Sequence, residues 1–466
     1  MSDQIMSLAQ ARGEAQKAVP ARERLTALFD PNTFVEVGTL VKNGCDGAGV
    51  ITGYGLVDGS PVYAFSQDIT VKSGAVGEAH GSKIKKIYEL ALKTGAPLVG
   101  IYDSNGAALD EGLDAMNAYG DLLCWTNNLS GVVPQISLVL GVCAGSAAMI
   151  AASADFVIMS EKGEFFVNAG DAEKGTAAEA AKGGIAHIVE KDEKDAIAAA
   201  RRLLSMLPVN NLSMAPMQEY SPVSGGENTL AAAAANIKGA DLFEAAKCAM
   251  DEDSVIELQK DFAPDAKIAF ASMNGMSVGL VVASSSGTLN LNGCSKIARF
   301  VSICDSFQIP VITFINCAKF VSGCSHGFRG GVREVAKLAH IYAEATTAKI
   351  AVIAGDAFGS AFVALAGRGS NADFSVAWPC AVIGALSPET AVAFLEGDKI
   401  TAEKPRAQVE AEYAMTKASA FAAAAKGNID DVIEASETRQ ALLAALEILS
   451  SKRVSRLPKK HGNIPM

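Results

Sequence analysis

Two stretches decide the reading of this chain: Ile136-Ser-Leu-Val-Leu140 leading to Gly145-Ser146-Ala147 and then Ala154-Asp155-Phe156, and Ile350-Ala-Val-Ile-Ala354 leading to Gly359-Ser360-Ala361 and then Ala372-Asp373-Phe374. The two Gly-Ser-Ala segments stand 214 residues apart. A second pair repeats at almost the same offset. Pro97-Leu-Val-Gly-Ile-Tyr102 runs into Asp103-Ser104-Asn105-Gly106, and 213 residues on Pro310-Val-Ile-Thr-Phe-Ile315 runs into Asn316-Cys317. Matching offsets at separated motifs mark an internal duplication. Each apolar run reads as a strand buried on both faces, followed by a glycine-bearing turn and a helix. Ahead of the first run, Ile84, Ile87, Tyr88 and Ala91 recur at helical spacing, with Lys83, Lys85, Lys86 and Glu89 on the other side. In the second half, Val301, Phe307 and Ile309 lead up to Pro310. Strand, turn and helix in both halves predict α/β layers in two similar domains, 1–222 and 223–466. The loop-like segments Leu207-Pro208 and Ser221-Pro-Val-Ser-Gly-Gly place the linker within 208–230, with Ala231–Ala235 helical or a surface connection. Residues 437–450 read as an amphipathic helix, and a basic tail follows from Lys452 to His461.

The chain has 466 residues, half of them apolar, enough for two cores. Its net charge of −11 argues against a nucleic-acid or anionic-membrane surface, since both need a basic face. Nine cysteines occur without a C-x-x-C pair, which predicts reduced thiols, a cytoplasmic location and no metal site. Met1 to Pro20 carries no apolar signal-peptide core. Residues 122–154 lack formal charge, but Gly131, Pro134, Gly141 and Gly145 interrupt them. A buried strand, glycine turn and helix fit better there than a membrane span.

A Gly-Ser-Ala turn heading a helix exposes backbone N–H groups without an intrahelical acceptor. Such donors suit a developing oxyanion, and small residues let a reacting carbonyl approach. Side-chain acid–base candidates are few. The histidines, at 80, 187, 326, 340 and 461, form no nucleophile or metal signature. His326 is the one to test, in the Gly- and Cys-rich stretch Val321–Arg329, whereas His340 reads as structural. Ser146 and Ser360 sit in no G-x-S-x-G elbow. Without a P-loop or a strand-borne G-x-G-x-x-G, nucleotide hydrolysis is not expected.

Several segments carry a resemblance: Ala21-Arg-Glu-Arg-Leu-Thr-Ala-Leu-Phe-Asp, Gly49-Val-Ile-Thr-Gly-Tyr-Gly, Phe65-Ser-Gln-Asp, Gly131-Val-Val-Pro-Gln-Ile-Ser, Ala298-Arg-Phe-Val-Ser-Ile-Cys-Asp, Tyr342-Ala-Glu-Ala-Thr, Ala377-Trp-Pro and Pro458-Lys-Lys-His-Gly-Asn-Ile-Pro. From about residue 20 to the end the chain resembles the carboxyltransferase subunits of biotin-dependent acyl-CoA carboxylases, of the propionyl-CoA carboxylase beta type, and of acyl-CoA decarboxylases. The resemblance implies two crotonase-like domains and an active site shared between subunits of a homo-oligomer, a dimer or a hexamer. It implies that the Gly145 and Ser146 amides of Cys143-Ala-Gly-Ser-Ala147 hold the ureido oxygen of biotin. The Ser360 and Ala361 amides would hold the thioester enolate. Gly106, Ala107, Gly359 and Val363 would contact acyl-CoA, with Val363 part of an apolar wall. In the implied reaction carboxybiotin releases CO2, the freed biotin nitrogen removes the acyl α-proton, and the enolate attacks CO2. The chain holds no Met-Lys-Met biotinylation segment, so biotin would come on a carrier protein, with a biotin carboxylase or a membrane decarboxylase subunit as further partner.

The chain departs from the family pattern in ways that bear on substrate and activity. Both turns carry serine where a second glycine is usual, and a positive φ there would disfavour serine. Asn105 replaces a glycine, and Leu109-Asp-Glu-Gly replaces a segment with an arginine. Ala318-Lys319-Phe320 stands in place of Pro-Gly-Phe, and the segment after Phe166-Val-Asn-Ala-Gly is short. The competing readings are the decarboxylase direction, a non-catalytic scaffold or binding paralogue, and a crotonase-type hydratase, for which paired glutamates are not evident.

Overall fold

The computed structural model describes residues 7–43, 46–321, 330–369, 371–454, 457–459 and 462–465. His326 and His461 lie outside the described residues. The chain divides into two compact units, Met1–Pro216 and Met217–Met466.

In the first unit the strands of the main sheet are β1 (Val35–Glu36), β2 (Val50–Val57), β3 (Ser60–Gln67), β4 (Leu98–Ser104), β5 (Gln135–Ala144), β6 (Phe156–Ser160), β7 (Glu164–Phe166) and β8 (Ile188–Glu190). They form one sheet in the order β1-β2-β3-β4-β5-β6-β8, with β7 paired beyond the end of β6 on β5. β1–β2 and β2–β3 are antiparallel, and every pairing from β3 onward is parallel. The second unit has β9 (Ile256–Leu258), β10 (Ala266–Met273), β11 (Met276–Leu289), β12 (Val311–Phe320), β13 (Lys349–Phe358), β14 (Phe374–Ala377), β15 (Val382–Gly384) and β16 (Asp431–Val432). Their order, β9-β10-β11-β12-β13-β14-β16 with β15 on β13, repeats the first sheet strand for strand, including the direction of each pairing. The helices that matter below are α1 (Pro20–Leu28), α2 (Glu78–Thr94), α3 (Leu113–Leu129), α4 (Ser146–Ala152), α5 (Glu193–Ser205), α6 (Leu291–Ser306), α7 (Val332–Glu344), α8 (Gly359–Ala366) and α9 (Thr438–Leu449). The uncharged stretch 122–154 is the end of α3, all of β5, and α4. No described helix is long and apolar enough to cross a membrane.

The repeated motifs have repeated jobs. Asp155 opens β6 and accepts the Gln135 N–H on Oδ2 at 2.9 Å, while its own N–H donates to Gln135 O at 3.0 Å. Asp373 does the same with Lys349, at 2.8 and 2.9 Å. The carbonyls of Pro97 and Pro310 accept from Tyr63 and Gly279 at 2.9 and 2.8 Å, locking the first parallel pair of each sheet. The helical spacing put Lys83 on the polar face of α2; it is buried instead, with Nζ donating to Val50 O at 2.7 Å. Lys296, 213 residues later on α6, is its counterpart and donates to Gln259 O and Phe262 O, both at 2.8 Å. Burial pushes the Lys83 ammonium down to about 8 and that of Lys296 to about 7. Each ammonium donates to backbone carbonyls, Val50 O on β2 for Lys83 and the loop after β9 for Lys296, which is why a cation is tolerated inside an apolar layer.

Lys296→Met keeps the apolar stem but takes a charged donor from Phe262 O and from Gln259 O, which retains only the Phe262 N–H. It is expected to cost about 2–4 kcal/mol in denaturant unfolding. A loss below about 0.5 kcal/mol would show that these bonds do not hold the loop.

Candidate active site

Both turns are delivered by the same irregularity. Between β4 and β5 the register jumps from Tyr102↔Val139 to Ser104↔Cys143, and between β12 and β13 from Ile315↔Ile353 to Cys317↔Ala357. The residue inside the jump is Asp103 in the first unit and Asn316 in the second. Its side-chain Oδ1 lies against the Cα of Gly141 or Gly355, where any Cβ would collide with it. Glycine at these two positions lets the carboxylate or amide cross the neighbouring strand, and the strand then kinks toward its turn. Each turn glycine has a left-handed backbone, φ 65° at Gly145 and 49° at Gly359. Ser146 and Ser360 do not, so serine is unstrained where the family pattern has a second glycine.

Ser146 and Ala147 open α4, and Gly359, Ser360 and Ala361 open α8. Their N–H groups therefore head a helix without intrahelical acceptors. The Gly145 N–H is already used: it donates to Phe166 O at 3.0 Å because β7 runs parallel beside the end of β5. Of the pair that the resemblance implies, Gly145 N–H thus has a backbone partner, and Ser146 N–H, like Ala147 N–H after it, heads the helix without an intrahelical acceptor. Val363 is 58% exposed on α8 and lines no interior wall of its unit. Its counterpart Met149 on α4 is 47% exposed, so both helices turn an apolar side chain outward.

The loop after β4 is closed on itself. The Gly106 N–H donates to Ser104 Oγ at 3.1 Å, and Gly106 O accepts from Val76 N–H at 2.9 Å. Ala107 is bracketed by that bond and by Ala108 N–H to Val76 O, also 2.9 Å. Gly106 therefore shapes the loop and has no spare amide. Glu111, in the segment that lacks the family's arginine, accepts the Glu78 N–H at 2.6 Å and caps α2. Asp110 pairs with Lys72 at 2.9 Å.

Two side chains near the turns escaped the sequence reading. Arg24, buried on α1, pairs with Asp103 at 2.8 Å. Asp356 stands near the end of β13, its N–H donating to Asn316 Oδ1 at 3.1 Å and its carboxylate making no ion pair among the described residues. Burial raises the Asp356 carboxyl above the ordinary aspartate range, with Lys238 opposing the shift and Glu389 reinforcing it. Only the repeat alignment could have exposed Asp356, which stands where the first unit has Val142. The cysteines beside the turns are buried, which pushes the Cys317 thiol up to about 12 and raises Cys143 further still. Neither thiol is a nucleophile at neutral pH. His340 bonds to Glu344 within α7 at 3.1 Å. No group of three or more metal-ligating side chains occurs among the described residues.

A duplicated α/β sheet whose central parallel strand ends in a helix-heading turn is the architecture of two-domain, crotonase-like proteins. The chain belongs to the carboxyl transferase family: the carboxyl transferase domain matches residues 14–464. It is 37% identical to the methylmalonyl-CoA decarboxylase alpha subunit of Veillonella parvula, across 97% of this chain and 94% of that one. It is 36% identical to the propionyl-CoA carboxylase beta chain of Saccharopolyspora erythraea, across 98% and 92%. The methylmalonyl-CoA carboxyltransferase 12S subunit of Propionibacterium freudenreichii subsp. shermanii is also 36% identical, across 96% and 91%. A transcarboxylase 12S crystal structure with methylmalonyl-CoA and methylmalonic acid bound superposes with a TM-score of 0.90 at 35% identity, covering 98% of this chain and 94% of that one.

A folded-state carboxyl pKa above the unfolded value gives stability that is present at low pH and lost as pH rises through the folded value. Asp356→Asn removes that loss. The variant should unfold at a higher temperature than the parent at pH 7, and the gap should narrow as pH falls toward 3.8, the ordinary aspartate value. Equal midpoints at pH 7 would contradict the assignment.

Proposed function

We propose that this chain moves a carboxyl group between carboxybiotin, carried on a separate protein, and a short acyl-CoA. The observation that carries the reading is the pair of helix-heading Gly-Ser-Ala turns at equivalent ends of β5 and β13. Carboxyl transfer through an enolate generates two oxyanions, one on the biotin ureido group and one on the thioester. A duplicated fold with one donor turn per unit answers that need. In this reading residues 1–222 form the biotin side and 223–466 the acyl-CoA side.

Biotin supplies the carboxyl group and, once free of it, the basic nitrogen that takes the α-proton. The chain's own residues bind and orient. Ser146 and Ala147 N–H donate to the ureido oxygen, whose partial negative charge suits donors at a helix start. Ser360 and Ala361 N–H donate to the thioester oxygen as it becomes an enolate. A preorganised donor of this kind supplies about 3–4 kcal/mol to the transition state. The loop at Gly106 and Ala107 and the turn glycine Gly359 give the acyl-CoA close backbone approach, with Val363 as an outward apolar contact. The acid–base work is left to the cofactor.

The relatives' names support propionyl-CoA and methylmalonyl-CoA as the substrate pair, ahead of acetyl-CoA and malonyl-CoA. They span carboxylase, transcarboxylase and decarboxylase components, so either direction of transfer fits. The partners are a biotin carboxyl carrier protein and either a biotin carboxylase or a membrane decarboxylase subunit, and the chain works as a homo-oligomer in the cytoplasm. The hexamer of the related transcarboxylase 12S supports such an assembly.

Purified chain, carboxylated carrier and acetyl-, propionyl- or crotonyl-CoA should yield a carboxylated acyl-CoA by mass spectrometry, fastest with propionyl-CoA. Binding of carrier and acyl-CoA without turnover of any of them would identify a non-catalytic paralogue instead.

A further inference from the structure

Asp103 contacts α1, β3 and β5 directly and α5 through Arg24. Arg24 Nη1 on α1 donates to Asp103 Oδ2 at 2.8 Å, and the two side chains are 7% and 6% exposed as residues. The same guanidinium grips Glu193, the first residue of α5, with Nε at 2.8 Å and Nη2 at 2.7 Å. On the other side, Asp103 N–H donates to Gln67 Oε1 at 3.1 Å. That bond fixes the orientation of the Gln67 amide, so its Nε2 donates to His80 Nε2 at 3.3 Å. His80 Nε2 accepts there because the Gln67 NH2 can only donate, which the imidazole allows since burial, aided by Lys83, pushes it down to about 3 and keeps it neutral. Asp103 Oδ1 lies over Gly141 of β5.

The duplication offers an internal control. At the equivalent bulge of the second unit, Asn316 crosses Gly355 with a neutral amide and bonds to Asp356 N–H. The fold can thus make this strand crossing without a buried charge. A carboxylate held by one arm of a guanidinium whose other two nitrogens grip Glu193 adds what the Asn316 amide does not, a link from the bulge to α1 and α5.

Asp103 is immediately followed by the Ser104–Ala107 loop, and Gly141 lies four residues before Gly145. We propose that Arg24 is a positioning residue that acts through Asp103 to hold the acyl-CoA loop and the first donor turn in mutual register. The proposal rests on the carboxyl-transfer reading for its kinetic test, but not for its structural one.

The kinetic test uses the Arg24→Leu/Asp103→Asn double variant, which removes both charges together and imitates the second unit. It is compared with Arg24→Lys and Glu193→Gln, all assayed as full-length protein well below their unfolding midpoints. The double variant should fold, with kcat for carboxyl transfer at least tenfold lower and KM for acyl-CoA within about threefold. Arg24→Lys should recover part of kcat, and Glu193→Gln, which touches only the solvent side of the network, should lower it about threefold. Normal kcat in folded variants would reduce Arg24 to a structural role and overturn the proposal. If the double variant does not fold, Glu193→Gln decides by the same criterion. If the parent protein shows no carboxyl transfer, the functional reading has failed, and amide hydrogen exchange decides the inference. Faster exchange in Glu193→Gln confined to residues 104–107 and 145–147 supports it, and exchange that is unchanged or uniformly faster overturns it.

Discussion

The structure depends on one contact made twice: a polar side chain at a bulge in one parallel strand laid across a glycine in the next. Asp103 over Gly141 and Asn316 over Gly355 break the register between the two central strands of each sheet. Without the glycines the crossing is sterically impossible. Without the crossing, β5 and β13 would continue straight and their turns would point elsewhere. The left-handed glycines at 145 and 359 then complete the bend, so the residues after them begin a helix with N–H groups facing outward from the strand end. Catalytic capacity in this account is a property of backbone direction, and side chains serve mainly to set it.

This explains both the success and the limits of reading the chain as letters. Duplication, strand positions and the two turns were legible because they rest on local patterns: apolar runs, glycine placement and a repeated Asp at 155 and 373 whose carboxylate clamps the start of the adjacent strand. Hydrogen-bond accounting was not legible. That the Gly145 N–H is consumed by Phe166, and the Gly106 N–H by Ser104, follows from how β7 and the β4 loop close in space. Lys83 was misplaced for a related reason. Helical periodicity assigns a lysine to solvent, whereas here the Val50 carbonyl draws its ammonium inward. Arg24 and Glu193 meet across 169 residues of sequence, beyond the reach of any spacing rule.

The two units share a backbone but differ in how they neutralise its centre. The first uses an ion-paired Asp103 on β4 and an apolar Val142 on β5. The second uses a neutral Asn316 on β12 and an Asp356 on β13 that makes no ion pair among the described residues. The carboxylate has moved one strand over and lost its arginine. One unit is therefore braced by charge, while the other carries a titratable group near its turn. Under the proposed carboxyl transfer, two turns that face different oxyanions, one on a ureido group and one on a thioester, have reason to diverge in this way. The serines that depart from the family pattern belong to neither difference, because each follows the strained glycine and adopts ordinary helical geometry.

The central claim is that a helix-heading backbone amide carries the chemistry, and replacing one such N–H tests it most directly. Introducing the α-hydroxy analogue of serine at position 360 exchanges the amide for an ester and deletes a single donor while keeping the side chain. The account predicts a fall in kcat of about 100-fold, the usual cost of one lost oxyanion donor, with little change in KM for acyl-CoA. A kcat within twofold of the parent would contradict it.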